Sequence, residues 1–145
     1  MDNVKKLWDW TFPSLVAAGG TIAGYMGGWD KELQILMLLM VFDYLTGIAA
    51  AVKSGKGLSS DVMFWGGIRK AGIMIVIAIS VMLDHLLGNG TPVVRMLAVY
   101  FYIGREALSV IENLEIFGVW MPSWLKGVLA QVRDRGDKDG GEKKL

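Results

Sequence analysis

The chain has 145 residues, 53% of them hydrophobic and 20% charged, with 15 Lys and Arg against 14 Asp and Glu and a formal net charge of +1. So apolar and nearly neutral a composition exceeds that of an ordinary soluble domain and predicts one small helical membrane unit; without a basic patch interleaved with aromatics, it excludes nucleic acid as a partner. Cysteine is absent, which removes disulfides, thiolate chemistry and cysteine zinc sites, and the single histidine, His85, has no second histidine for a metal pair.

Residues 1–11 are charged and aromatic. A basic start with Lys5 and Lys6 invites a signal-peptide reading, but Asp9, Trp8 and Trp10 interrupt the apolar stretch such a peptide needs, so the segment is expected to be retained. Residues 12–29 form a first, weakly hydrophobic run in which Gly20, Gly24 and Gly28 recur at four-residue spacing. In lipid such a face permits close helix approach; the other reading is a segment lying on the membrane surface, so three spans stand beside four. Residues 33–52 are the second run. Asp43 arrives near its middle, where a carboxylate in lipid costs about 2.5–3.5 kcal/mol, so it must be paired, protonated or wet. Gly47 and Ala50 share its face, which is expected to turn toward a neighbouring helix.

Residues 53–70 read as the main connection, broken by Gly and Ser and mainly basic through Lys53, Lys56, Arg69 and Lys70; Ser60 and Asp61 carry a weak capping signal within it. The third run covers about residues 69–87, with Ser80 and Asp84 one turn apart near its end, and Gly88, Asn89, Gly90 and Pro92 make a turn. The fourth, residues 92–113, is the most informative. At roughly 100° per residue, Arg95, Tyr102, Glu106, Ser109 and Asn113 fall within a narrow arc, with Arg105 and Glu112 on its shoulder. Two readings of this stripe stand together. It packs inside a helix bundle and holds neighbours in register, or it lines a water-filled path or a switchable contact between subunits. After Pro122, residues 122–133 repeat Trp124, Leu125, Val128, Leu129 and Val132 at helical spacing, an amphipathic interfacial helix, and the charged, glycine-bearing tail 134–145 is expected to be disordered.

All six tryptophans, Trp8, Trp10, Trp29, Trp65, Trp120 and Trp124, fall at the margins of apolar runs, as indoles at headgroup level would. Basic residues at the start, in the central connection and near the end predict four spans with both termini cytoplasmic. No nucleophile elbow, phosphate-cradling glycine loop or metal motif is present, and Glu106 with Glu112, on one hydrophobic helix, does not make a glycosidase pair. Neither enzymatic activity nor a cofactor is expected.

The segments FDYLTGIAAAVKSGKGLSS, GGIRKAGIMIVI, LDHLL and VYFYIGREALSVIENLEIFGVWMPSWLKGVL, together about residues 42–129, resemble the phage lysis and toxin-secretion holin family. That family has an Asp-Tyr-x-Thr-Gly segment, a Gly-x-x-x-Lys segment and a Tyr-Ile-x-x-Glu-x-x-Ser-x-x-Glu-Asn segment in this order. The last is the specific one, carried by Tyr102, Ile103, Glu106, Ser109, Glu112, Asn113, Gly118 and Pro122; Arg105 departs from the neutral polar residue frequent there.

The resemblance implies a protein of the bacterial cytoplasmic membrane that self-associates in the lipid bilayer and, at a set moment, opens lesions that release an endolysin or toxin to the cell wall; it also admits an antiholin among the partners. With it comes the expectation that Asp43, Glu106, Ser109 and Asn113 form the interhelical contacts that set the moment of opening. Two other classes remain: an oligomeric ion channel or transporter subunit using the stripe as a selective path, and a membrane adaptor holding a cytoplasmic partner through residues 123–133 and the basic tail.

Overall fold

The computed structural model describes residues 2–141 other than 56, 58 and 89. Five helices follow one another: α1 Asp2–Tyr25, α2 Lys31–Lys53, α3 Ser60–Leu86, α4 Val93–Ile116 and α5 Ser123–Gly141. Their boundaries have local causes. α1 ends because Gly27 and Gly28 take φ of +85° and +108°, conformations that reverse the chain and that side chains resist. Asp30 then caps α2, its carboxylate accepting from the Leu33 amide at 2.9 Å, and Glu32 and Lys53 complement the dipole at the two ends.

α4 is the hub. α2 and α3 pack along it, α5 folds back against it, and α2 and α3 barely touch each other. Stripes at helical spacing form the core: Leu33, Leu36 and Met40 of α2, Ile73 and Ile77 of α3, and Val99 of α4, closed by Met26. At the far end of the bundle Lys53 lies 5.0 Å from the Phe117 ring, and Lys126 of α5 pairs with Glu115 of α4. Among the described residues α1 makes no comparable contact; its large side chains, Leu15 and Ile22 among them, are exposed.

The protein is a small all-helical membrane protein. α2 and residues Met63–Leu86 of α3 are long and apolar enough to cross a bilayer, and only 17% and 22% of their apolar windows are buried. Core helices of a soluble protein would be covered; here Leu38, Leu45, Ile75 and Ile79 face outward. All six tryptophans are exposed as well.

Three boundaries differ from those expected. α3 starts at Ser60, nine residues before the expected span, because Asp61 sits in its first turn and Gly66 and Gly67 are absorbed into the helix. α1 runs from Asp2 through Pro13 and stops at Tyr25, which leaves Gly28 in a turn. α5 continues to Gly141, beyond the expected end at residue 133 and into the segment expected to be disordered. Lys56, Asn89, residues 142–145 and the side chains of residues 132, 133 and 135–141 lie outside the described residues.

Candidate functional site

The polar side chains of the three packed helices separate into two clusters with the apolar core between them. The first lies at the middle of α2 and α4. Lys70, one turn before the core residue Ile73, extends from α3 into the gap between α2 and α4. Its Nζ donates to Asp43 Oδ2 at 2.6 Å and also to Glu106 Oε2. The side chains of Glu106, Lys70 and Asp43 keep only 6%, 16% and 18% of their exposure, so one ammonium bridges two carboxylates away from bulk water. A single cation between two anions suits burial, because each ion loses hydration and regains a partner of opposite sign.

Asn113 of α4 extends the cluster. Its amide donates to Asp43 Oδ1 at 3.2 Å and to Thr46 Oγ1 at 3.1 Å, and the Thr46 hydroxyl in turn donates to the Phe42 carbonyl at 2.7 Å. Gly47 lies where α2 meets Asn113 of α4; a Cβ there would stand 3.6 Å from Asn113 Nδ2, in ordinary van der Waals contact. Above the cluster, α2 and α3 diverge and leave an open cleft of about 260 Å³ floored by α4, reaching Gly57 and Ser59 in the connection. Ser109, Arg69 and Arg105 line it with Asp43, Lys70 and Glu106.

The second cluster closes the opposite end. Pro92, at the N-cap of α4, supplies no side-chain acceptor. Asp84 of α3 takes over that role, Oδ1 accepting from the Val94 amide at 2.9 Å and Oδ2 from the Arg95 amide at 2.8 Å. The buried Arg95 guanidinium then reaches back, donating to the Met26 carbonyl at 2.5 Å and to Asp30 Oδ2 at 2.6 Å. Gly27 is required beside it: a Cβ there would stand 2.6 Å from Arg95 Nε. The Arg95 hydrogen bond holds the Asp30 carboxyl below its ordinary 3.8, opposed by burial and assisted by the Leu33 amide.

The single stripe expected on α4 is thus divided. Glu106, Ser109 and Asn113 meet at the mid-helix cluster with Asp43 and Gly47. Arg95 belongs to the other cluster, eleven residues away, and Tyr102 packs against the apolar core between them, edge-on to Phe101. Arg105 and Glu112 are exposed, as their shoulder position requires. Gly20 and Gly24 on α1 have nothing within 4 Å of a built Cβ, and Gly28 stands in the turn. Two central residues escaped the sequence reading. Lys70 falls by composition in the connection, although the Gly-x-x-x-Lys segment Gly66 to Lys70 marks it; Asp84 stands out in sequence only beside Ser80, and the proline at the following N-cap is the available signal.

A model of the bacteriophage holin family matches residues 20–134. Among curated proteins, an uncharacterized 14.9 kDa protein in the nagH 3′ region of Clostridium perfringens is 37% identical over 93% of this chain and 99% of its own length. An uncharacterized protein of Bacillus subtilis is 32% identical, covering 79% of this chain and 80% of its own. A probable holin of Bacillus phage phi105 is 31% identical over 79% of this chain and 83% of its own. No solved structure matches.

Proposed function

The chain belongs to the bacteriophage holin family, and from that premise we propose that it accumulates in the bacterial cytoplasmic membrane, self-associates there and opens timed lesions through which an endolysin or toxin reaches the cell wall. It acts without catalysis or cofactor. α1 to α4 cross the bilayer, the basic connection between α2 and α3 and both termini lie on the cytoplasmic side, and α5 rests at that interface.

The observation that carries this reading is the Lys70–Asp43–Glu106 bridge at mid-helix, shielded within three packed helices whose outer faces are apolar. In the closed unit the three charges satisfy one another and the greasy surface faces lipid. Separating α2 and α3 would expose them, and exposed charges at mid-bilayer depth draw water; a polar face hidden in the compact state is thus available to line a lesion. Asp43, Glu106, Ser109 and Asn113 accordingly set when the helices part. Gly20 and Gly24 of α1 serve contacts between copies.

Expression in a bacterium carrying a cytoplasmic endolysin tests this. The expected result is abrupt lysis after a fixed delay, with the delay altered in Asp43→Asn and Glu106→Gln at equal expression. Steady, ion-specific conductance without escape of the folded enzyme would refute the lesion; unchanged timing in both variants would refute the role of the bridge.

A further inference from the structure

The cleft between α2 and α3 carries more positive charge than the lysis reading uses. Arg69, Lys70 and Arg105 line it, and the two carboxylates in its wall, Asp43 and Glu106, are both taken by Lys70. Among the described residues no carboxylate lies within ion-pair distance of Arg69 or Arg105, and both are exposed. Each offers a planar fork of N–H donors and no acceptor. Arg105 is eleven residues short of the end of α4, about 16 Å of helix, which puts a bare cation well below the headgroups. Arg69 precedes Lys70, whose ammonium reaches Glu106 beside Arg105, so the two arginines stand at about the same level of the bundle. Glu112, two turns from Arg105 on α4 and itself exposed, is about 10 Å further along the axis and cannot neutralise it.

A guanidinium at this depth without a carboxylate of its own chain is stabilised by water in the cleft or by an anion from outside, and a cleft with an excess of positive charge favours the anion. The anion available at a membrane surface is a phosphodiester, whose oxygens match the guanidinium fork. The cleft reaches the α2–α3 connection at Gly57 and Ser59, offers the Ser109 hydroxyl as a further donor, and has Gly66 in its wall beside the Tyr44 ring. We propose that this cleft binds the phosphate of an anionic phospholipid from the leaflet at its open end, through Arg105 and Arg69. The proposal rests on α3 and α4 spanning the membrane, not on lesion formation.

The test uses the full-length protein purified in an uncharged detergent, titrated with phosphatidylglycerol, phosphatidylcholine or inorganic phosphate and read by native mass spectrometry. The expected result is retention of phosphatidylglycerol over phosphatidylcholine, a preference that R69Q/R105Q weakens by roughly 30-fold and R105Q alone by roughly fivefold. Both residues are exposed, and circular dichroism checks the fold; should the double variant unfold, R69Q and R105Q singly carry the comparison. Equal retention of the two lipids, undiminished phosphatidylglycerol binding in the variants, or displacement by inorganic phosphate at equal concentration would each overturn the assignment, the last by making this a site for the free ion. Release of the protein from membranes by alkaline carbonate would overturn it too, by removing the spanning helices. A protein that stays inserted and keeps its phosphatidylglycerol preference but fails to lyse cells upholds the lipid site and sinks only the lesion reading.

Discussion

Replacing Lys70 by methionine keeps the length and apolar stem of the side chain and removes the charge that separates Asp43 from Glu106. At 2.6 Å and an effective dielectric near 20, the attraction to Asp43 alone is about 6 kcal/mol, but dehydrating each ion costs several kcal/mol, so the bridge as a whole contributes little net stability. Its loss is a different matter. Glu106, with 6% of its side-chain exposure remaining, and Asp43, with 18%, would be left as two anions without a counter-ion, a defect worth about 3–5 kcal/mol. For a chain of this size that corresponds to a fall in Tm of roughly 6–20 °C. The triple variant K70M/D43N/E106Q removes all three charges together and is expected to recover most of the loss. Thermal unfolding of both variants and the wild type in one detergent, followed by circular dichroism, measures the difference. A K70M melt within about 2 °C of wild type, or a triple variant less stable than K70M, would show that the three groups are not the coupled unit their geometry describes.

Further expectations follow from the second cluster and from α1. Gly27→Ala forces a Cβ to 2.6 Å from Arg95 Nε at φ +85° and should cost at least about 1–2 kcal/mol, whereas Gly24→Ala, with open space around it, should gain up to about 1 kcal/mol; melting temperatures that move in the same direction would contradict this. Asp84→Ala leaves the Val94 and Arg95 amides without acceptors, costs about 1–3 kcal/mol, and should accelerate hydrogen exchange at those two amides specifically. Asp30 has a folded pKa below its unfolded value, so its contribution is fully present above the ordinary 3.8 and is lost as pH falls through the lowered folded value. Acid titration of stability should therefore lose a component below about pH 4 in Asp30→Asn relative to wild type, and identical acid limbs would rule out that contribution. Gly20→Leu/Gly24→Leu should leave the melting of the single chain nearly unchanged while reducing cross-linking between copies; undiminished cross-linking removes that face from the subunit contact.

Much of the architecture was legible because it is written locally. A carboxylate in the middle of an apolar run, glycine and alanine on the same face, and polar residues recurring three and four apart on α4 each state a requirement that a few turns of helix express by themselves. Asp43 announced that it needed a partner. The identity of that partner was hidden because Lys70 stands among Gly66, Gly67 and Arg69, a stretch whose composition imitates a loop although α3, opening at Ser60 with Asp61 in its first turn, runs through it. Arg95 misled in another way. Its angle on α4 agrees with that of Glu106, but angle says nothing of depth, and the structure uses depth to send the two to opposite ends of the core.

Period, greasiness, tryptophan placement and end-capping are properties of neighbours in the chain, so the primary structure alone determined that this is a helical membrane protein with charge buried on its second and fourth long helices. The tertiary structure decided which charges meet. Lys70 finds Asp43 across 27 positions and Glu106 across 36, Asn113 finds Asp43 across 70, and Asp84 caps a helix that is not its own. Such pairings depend on the axial register and rotation of three helices against one another. A shift of one turn, about 5.4 Å, would leave every local pattern intact and break every one of these bonds.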